Sequence, residues 1–594
     1  MVHLAGSSRF FVIAAPVLAA VLGCTATITG QGDGTGNPGA SNGGSSGASG
    51  TTGKGGSSGS AGTGKSTGGS GAVASGGASG SAGSGTGGTE EPTEGPRPVS
   101  LKGEPIYSRM LRLTNDQWEN SVHDILHLSG PTGVSQDFVR AVGATTDFDN
   151  NETVVFVDNT SWADFQRGAE TVADQVTATD AALQNVLATT DATTFIKTFG
   201  RRAFRRDLAA DEVTAYKALY DEGALVTEGS QSAFTKGARY VIATMLQSPY
   251  FLYRSELGDA GAPLSGNEMA SKLSFWLRDT TPSDAMLDAA SSFATADGAV
   301  DKATQMLQDA TATAVMRKVH GALHKFALYD SIAKPGVAGY TDAMNAEFSQ
   351  ASYLFFDRIF TQNLGVRDIL TSTVAFAGPA MASIYGITVA GSGVQQVTLS
   401  DRLGYFMQAP FLALWARNND PDSIHRGARL NLDTLCADPG LPSQELPMIP
   451  PAKENQTNRM VITALTSGCG ASCHGEIINP VGFAFENFDG LGRTRTMDNG
   501  QPVDTTGTYP FQEGYLTFAG AAELMQDMAN GMQAHQCWAK KMASYALERD
   551  LVEADRPMVE ALGAVSQASG SSLKQVMLAL VKHDAFRTRA GGAQ

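Results

Sequence analysis

Positive charge is scarce in this chain. Its 594 residues carry 43 Lys and Arg against 59 Asp and Glu, a net charge of −16 and an isoelectric point of about 5.0. Nucleic acid and anionic lipid both demand a basic surface, so neither is expected as the main partner. Signatures of the common catalytic classes are missing too. There is no nucleophile–His–Asp arrangement, no P-loop and no H-E-x-x-H, and the G-L-G at residues 490–492 is too short to signify a dinucleotide site. The apolar run at residues 10–22 is too short to span a bilayer as a mature helix. Strand signals are few, and no 20–50-residue repeat is visible. What remains is 42% hydrophobic and 17% charged, an ordinary globular balance in a chain long enough for more than one core.

The N-terminus reads as a targeting segment. Arg9 precedes the apolar run, which ends in Val21-Leu22-Gly23-Cys24. This pattern predicts a bacterial lipoprotein signal peptide, residues 1–23, cut before Cys24, which would carry the lipid. Several acyl chains on one cysteine make a stable anchor. The expected location is the bacterial cell envelope, on the outer membrane or cell surface. Residues 24–98 follow as a tether. Between 31 and 90 lie 24 of the chain's 67 glycines, mixed with Ser, Thr and Ala. Such a composition buries too little apolar surface to offset its ordering entropy, so a disordered linker is expected.

The remainder reads as mainly α: a multidomain helical body with a small β-hairpin. Ser265 and Glu268 form a capping-box pattern before an apolar run. Thr281-Pro282-Ser283-Asp284 predicts a helix with Pro282 at its first position. Residues 207–220, 538–551 and 573–586 carry apolar side chains near helical spacing. Residues 500–518 are the best hairpin candidate. The loop at 391–396 and the proline-rich 437–456 predict divisions in the body.

Chemistry concentrates in "SGCGASCHGEIINPVGFAFENFDGLGRTRT", residues 467–496. The c-type haem signal is C-x-x-C-H; here Cys469, Cys473 and His474 read C-x-x-x-C-H. If the stretch is helical, Cys469 and Cys473 lie on one face with His474 following, which suits two thioether bonds and one axial imidazole. A disulfide between the two cysteines, or a zinc site lacking a fourth ligand in reach, are the other readings. Met497 and His324 are candidates for a sixth iron ligand. The chain holds five cysteines. With Cys24 assigned to lipid and Cys469 and Cys473 to the motif, Cys436 and Cys537 are left, and a disulfide between them is expected.

Other segments have two readings each. The pairs His320/His324 and His123/His127 are spaced i, i+4, as packed or surface residues or as ligands. "DFDNNE", residues 147–152, suggests a capped turn or the start of a calcium loop. "RRAFRRD", residues 201–207, suggests a solvated helix face or an anion- or partner-docking cluster.

A series of motifs follows in order: "LRLTNDQWENSVHDIL" (111–126), "FGRRAFRRDLAADEVTAYKALY" (199–220), "MLQSPYFLYRSEL" (245–257), "HRGARLNLDTLC" (425–436), "CHGEIINPVGFAFENFDGLGRTRT" (473–496) and "CWAKKMASYALERDL" (537–551). The series resembles the secreted planctomycete and myxobacterial proteins built from serial domains of unknown function, described as planctomycete cytochrome c-like. In that family the motif is usually C-x-x-C-H followed by Asp-Pro; this chain has one more residue and Asn479. The resemblance implies N-terminal helical domains at 99–258, a central helical domain at 259–392, a cytochrome c-like domain at 393–496 and a C-terminal helical domain at 497–594. It implies haem c on Cys469, Cys473 and His474, and electron transfer outside the cytoplasm with an unknown redox partner. The alternatives are a haem-free, disulfide-bonded surface protein binding a polymer or protein partner, and a haem peroxidase-like enzyme. Whether the chain is an enzyme is left open.

Overall fold

The computed structural model describes residues 97–590 apart from 104–108, 141–146, 156, 188, 441–448 and 469–470. The expected signal peptide, Cys24, the tether up to residue 96, and Cys469 lie outside the described residues. All described residues belong to one unit, Pro92–Gln594.

Helices dominate, as the patterning requires. Ser265 and Glu268 do form a capping box: the Glu268 N–H donates to Ser265 Oγ at 3.3 Å, and the Ser265 N–H donates to Glu268 Oε2 at 2.7 Å. The helix they open runs Gly266–Arg278. Thr114 and Gln117 cap Asn115–Ile125 in the same reciprocal way. Elsewhere the boundaries move for physical reasons. The next helix starts at Asp284, not Pro282, because the Ser283 hydroxyl accepts the Met286 N–H and so takes the cap position. The helix expected from Asp207 runs Ala210–Ala224, since Arg205 turns left-handed at φ 58° and ends the preceding Ala192–Phe204. Met532–Leu547 stops where Glu548 turns left-handed at φ 55°. Leu573–Lys582 and Asp584–Arg587 are separated by the His583 cap.

Sheet among the described residues is limited to two-stranded antiparallel pairs. Gly507–Phe511 and Gly514–Phe518 form the expected hairpin, inside residues 500–518. Met110–Arg112 pairs with Tyr253–Ser255 and closes the N-terminal helices into a loop of chain.

Two buried apolar clusters result. One joins Leu113, Trp118, Phe165, Phe199, Val241 and Phe251, and so belongs to the N-terminal helices. The larger runs from Phe148 through Phe356, Tyr405, Phe485 and Tyr509 to Phe586. Limits at 392 and 496 therefore fall inside one shared core. The segment after 391 forms a strand, Gln395–Thr398, that pairs back onto Val374–Ala377, and this ties the loop to the chain before it.

The N-terminal cluster is attached to the C-terminal helices by buried charge. Arg109, Arg254 and Lys272 meet Glu152, Glu256 and Glu548, with Arg254 paired to Glu548 and Lys272 to Glu256 at 3.1 Å. Arg109 also donates to the Leu547 carbonyl. Three cations face three anions, so the network is neutral overall. Desolvation holds the Glu548 pKa above its ordinary value, against the pull of Arg254 and Arg109. The Glu548→Gln variant should strand Arg254 in the interior. Removing one partner of a buried pair costs about 3–5 kcal/mol, to be read as the loss in unfolding free energy by urea titration. Unchanged stability would show that the pair is not needed.

Candidate functional site

The Cys–His segment is held from beneath by a buried arginine. Arg426, on the helix Ser423–Leu430, is fully buried. Its Nε donates to the Trp415 carbonyl at 3.0 Å. Nη1 donates to Phe485 at 3.2 Å and Phe488 at 3.0 Å, and Nη2 to Leu412 at 2.8 Å and Asp489 at 2.9 Å. The acceptors come from both sides of the motif helix in sequence. Burial pushes the Arg426 pKa down to about 10, which leaves it charged at neutral pH. Glu486, also buried, accepts from Asn458 Nδ2 at 2.7 Å, Arg495 Nη2 at 2.9 Å and the Ser423 hydroxyl. Desolvation raises its pKa despite those donors.

Glycine sets the helix crossing above this. A Cβ on Gly427 would lie 2.0 Å from the Ile478 carbonyl oxygen, and one on Gly482 would lie 1.9 Å from that of Ser423. The helices Ser423–Leu430 and Asn479–Phe483 thus touch backbone to backbone, which any side chain at either position would prevent. Asn431, fully buried, completes the join. Its Nδ2 donates to Gly427 and Ile477, both at 2.8 Å, and its Oδ1 accepts the Tyr509 hydroxyl at 2.7 Å.

Cys473 and His474 lie on a π-helix, Ala471–Ile478. Ile477 and Ile478 are buried and anchor it; Cys473 and His474 are half-buried. His474 Nδ1 lies 3.3 Å from Asn479 Oδ1. Asn479 Nδ2 donates to Thr466 Oγ1 at 2.8 Å, and the Thr466 hydroxyl to Ile462 O at 2.8 Å. With its amide nitrogen committed to Thr466, Asn479 presents its oxygen to the imidazole. That oxygen accepts an Nδ1 proton and leaves Nε2 with a lone pair, the arrangement of a metal-ligating histidine. The residues present therefore fit an axial haem ligand. Glu476 is paired with Arg97 at 3.0 Å, so the chain at residue 97 meets the motif helix.

Cys436 and Cys537 are joined, with S–S 2.07 Å and Cα atoms 5.2 Å apart. The bond links the end of "HRGARLNLDTLC" to the helix Met532–Leu547, and Val99 packs against it.

Neither sixth-ligand candidate is among the partners of His474 within the described residues. Met497 is 52% exposed on a two-residue strand. His324 is buried and stacks on Phe356 at 5.1 Å, and burial holds its pKa well below the ordinary value. His320 is packed as well: Nδ1 lies 2.9 Å from the Met316 carbonyl, and burial pushes its pKa down to about 4.

The calcium-loop reading of 147–152 does not survive the contacts. Asp147 pairs with Lys541 at 2.5 Å, Asp149 with Lys318 at 3.4 Å and Glu152 with Arg109 at 3.7 Å, while Asn150 and Asn151 donate to Tyr545 O and Asp550. The carboxylates face protein cations instead of converging on one point. In 201–207 neither reading holds throughout. Arg202 grips Asp284, Arg206 grips Glu212, and Arg205 is buried against the carbonyls of Tyr250, Phe251 and Tyr253.

Fold and site together define a mainly helical chain of serial units, one of which carries a Cys–His motif. Five family models match it in that order. They are Protein of unknown function (DUF1587) over residues 111–178, (DUF1595) over 191–256, (DUF1592) over 264–387, (DUF1588) over 402–498 and (DUF1585) over 516–586. The chain belongs to the multidomain family built from these domains in series, planctomycete cytochrome c-like repeats. No curated protein and no solved structure matches it significantly. The Cys–His motif falls in the DUF1588 domain.

Arg426→Lys replaces five donors by three and leaves at least two buried carbonyls unpaired. At about 1–3 kcal/mol for each, the loss of unfolding free energy should be about 2–6 kcal/mol. Denaturant titration measures it, and a loss below 1 kcal/mol, in ordinary surface range, would reject the role assigned to the guanidinium.

Proposed function

We propose that this chain is a lipid-anchored, c-type cytochrome-like protein of the bacterial envelope that transfers electrons outside the cytoplasm. The observation that carries the reading is His474, whose Nδ1 faces the oriented oxygen of Asn479 beside the half-buried Cys473. Cys473 and Cys469 would hold a haem c through thioether bonds, and His474 Nε2 would be the axial ligand. Bound there, haem supplies reversible one-electron exchange. The chain's own residues do the rest. Asn479 fixes the imidazole tautomer, Thr466 fixes Asn479, and the Arg426 cradle keeps the segment from shifting beneath them.

The extra residue in C-x-x-x-C-H keeps the order thiol, thiol, imidazole, and Cys473 and His474 stand together on one helix. Family membership supports the cytochrome-like role in coarse form.

Expressed with a c-type maturation system, the protein should show a covalent Soret band and haem staining on a denaturing gel. The Cys473→Ser variant should lose covalent staining. A wild-type protein without covalent haem, made beside a control cytochrome that matures, would leave the haem-free surface protein as the reading. Lipidation is tested separately: radiolabelled palmitate should enter the wild type and not Cys24→Ser, and labelling of both would remove the proposed anchor.

A further inference from the structure

A second site lies where three of the family domains meet. A cavity of about 420 Å³ is lined by the end of Asn115–Ile125 and the residues after it, by Ala192–Phe204, and by the turn after Gly266–Arg278. Its volume falls in the range of small-molecule sites. Two histidines, two arginines and two aspartates line it: His123, His127, Arg202, Arg278, Asp124 and Asp284. Ile125, Leu128 and Pro282 supply apolar wall.

The ionised groups on this wall are not all paired with one another. Arg202 is matched, with Nε 3.0 Å from both Asp284 oxygens and Nη2 2.6 Å from one. Asp124 is held by hydrogen bonds, taking the Thr280 hydroxyl at 2.8 Å and facing His123 Nδ1 at 2.9 Å. Arg278 has no carboxylate partner among the described residues, and its buried Nε has no hydrogen-bond partner. With its histidines neutral the wall sums to zero charge, and Arg278 is the cation there without an ion pair, beside two imidazoles.

We propose that this cavity binds a carboxylate-bearing, hydroxylated small molecule of about monosaccharide size, with Arg278 holding the carboxylate. A planar guanidinium matches a carboxylate two bonds at a time. Imidazoles offer flat faces to ring CH groups and nitrogens to hydroxyls. His123 Nδ1 is already directed at Asp124, so Nε2 is the nitrogen left for the ligand. Acidic sugars combine these features, as a free acid or as part of an envelope polysaccharide. The site needs no haem and stands apart from the cytochrome reading.

Calorimetric titration of the full-length chain with galacturonate, galactose and trigalacturonate tests this. Galacturonate should bind, and galactose, which lacks the carboxylate, should bind about tenfold or more weakly. Arg278→Met should weaken galacturonate by a similar factor while circular dichroism and melting temperature stay at wild-type values. If that variant does not fold, His127→Ala decides, because His127 is exposed and its removal should still weaken binding. Tighter binding of trigalacturonate assigns the polymer as source and equal binding the free acid; both support the site. Equal affinity for galacturonate and galactose, no binding of either uronate, or folded variants that bind like the wild type would overturn it.

Discussion

The placement of the Cys–His segment depends on one buried guanidinium. Arg426 makes five hydrogen bonds, all to backbone carbonyls, on residues from 412 to 489. Such a group is costly to bury, and the cost is offset only because every N–H has an acceptor. The same accounting works from the acceptors' side. The described helices between 409 and 498 are all short, each ending in carbonyls without an intrahelical partner. Buried carbonyls need donors, and here a side chain brings five at once. Gly427, next in sequence, then lets the helix carrying that side chain lie directly against the helix after the motif.

The device recurs. Arg205 donates to three carbonyls between 250 and 253, with its pKa held down to about 9 by burial and then by neighbouring Arg254. Arg402 donates to Met407 and Gly492 and lies over the rings of Tyr385 and Phe488. A fold with little sheet and many helix ends has surplus acceptors in its interior, and arginine is the side chain with the most donors. The low charge content of 17% is thus partly internal, a structural use of charge. This explains why neither reading of "RRAFRRD" holds throughout: its arginines go to separate carboxylates and carbonyls.

Local rules were legible in the sequence. The Ser265/Glu268 box, the hairpin within 500–518 and the mainly helical class follow from patterns that a few neighbouring residues determine. Where two local signals compete, the sequence alone misplaces the boundary, as at Pro282 against the Ser283 cap. The pairing of Cys436 with Cys537 came from parity, not from geometry. Contacts across long separations were not legible. Nothing in "HRGARLNLDTLC" says that Arg426 will meet carbonyls 59 to 63 residues away. Its one available signal is an arginine followed directly by glycine, which is weak by itself.

Asn479 joins the local and the distant parts of the site. An aspartate there could only accept hydrogen bonds when ionised, from His474 or from Thr466. The amide accepts on one side and donates on the other, and the Thr466 hydroxyl in turn donates to Ile462 O. The chain of bonds therefore has a direction, from imidazole to amide to hydroxyl to helix carbonyl, and that direction fixes which imidazole nitrogen keeps its proton. A neutral amide also puts no full negative charge beside the imidazole, as an aspartate would. It orients the ring through geometry while leaving it less electron-rich than an aspartate would. Asn479 thus orients the imidazole without placing a charge beside it.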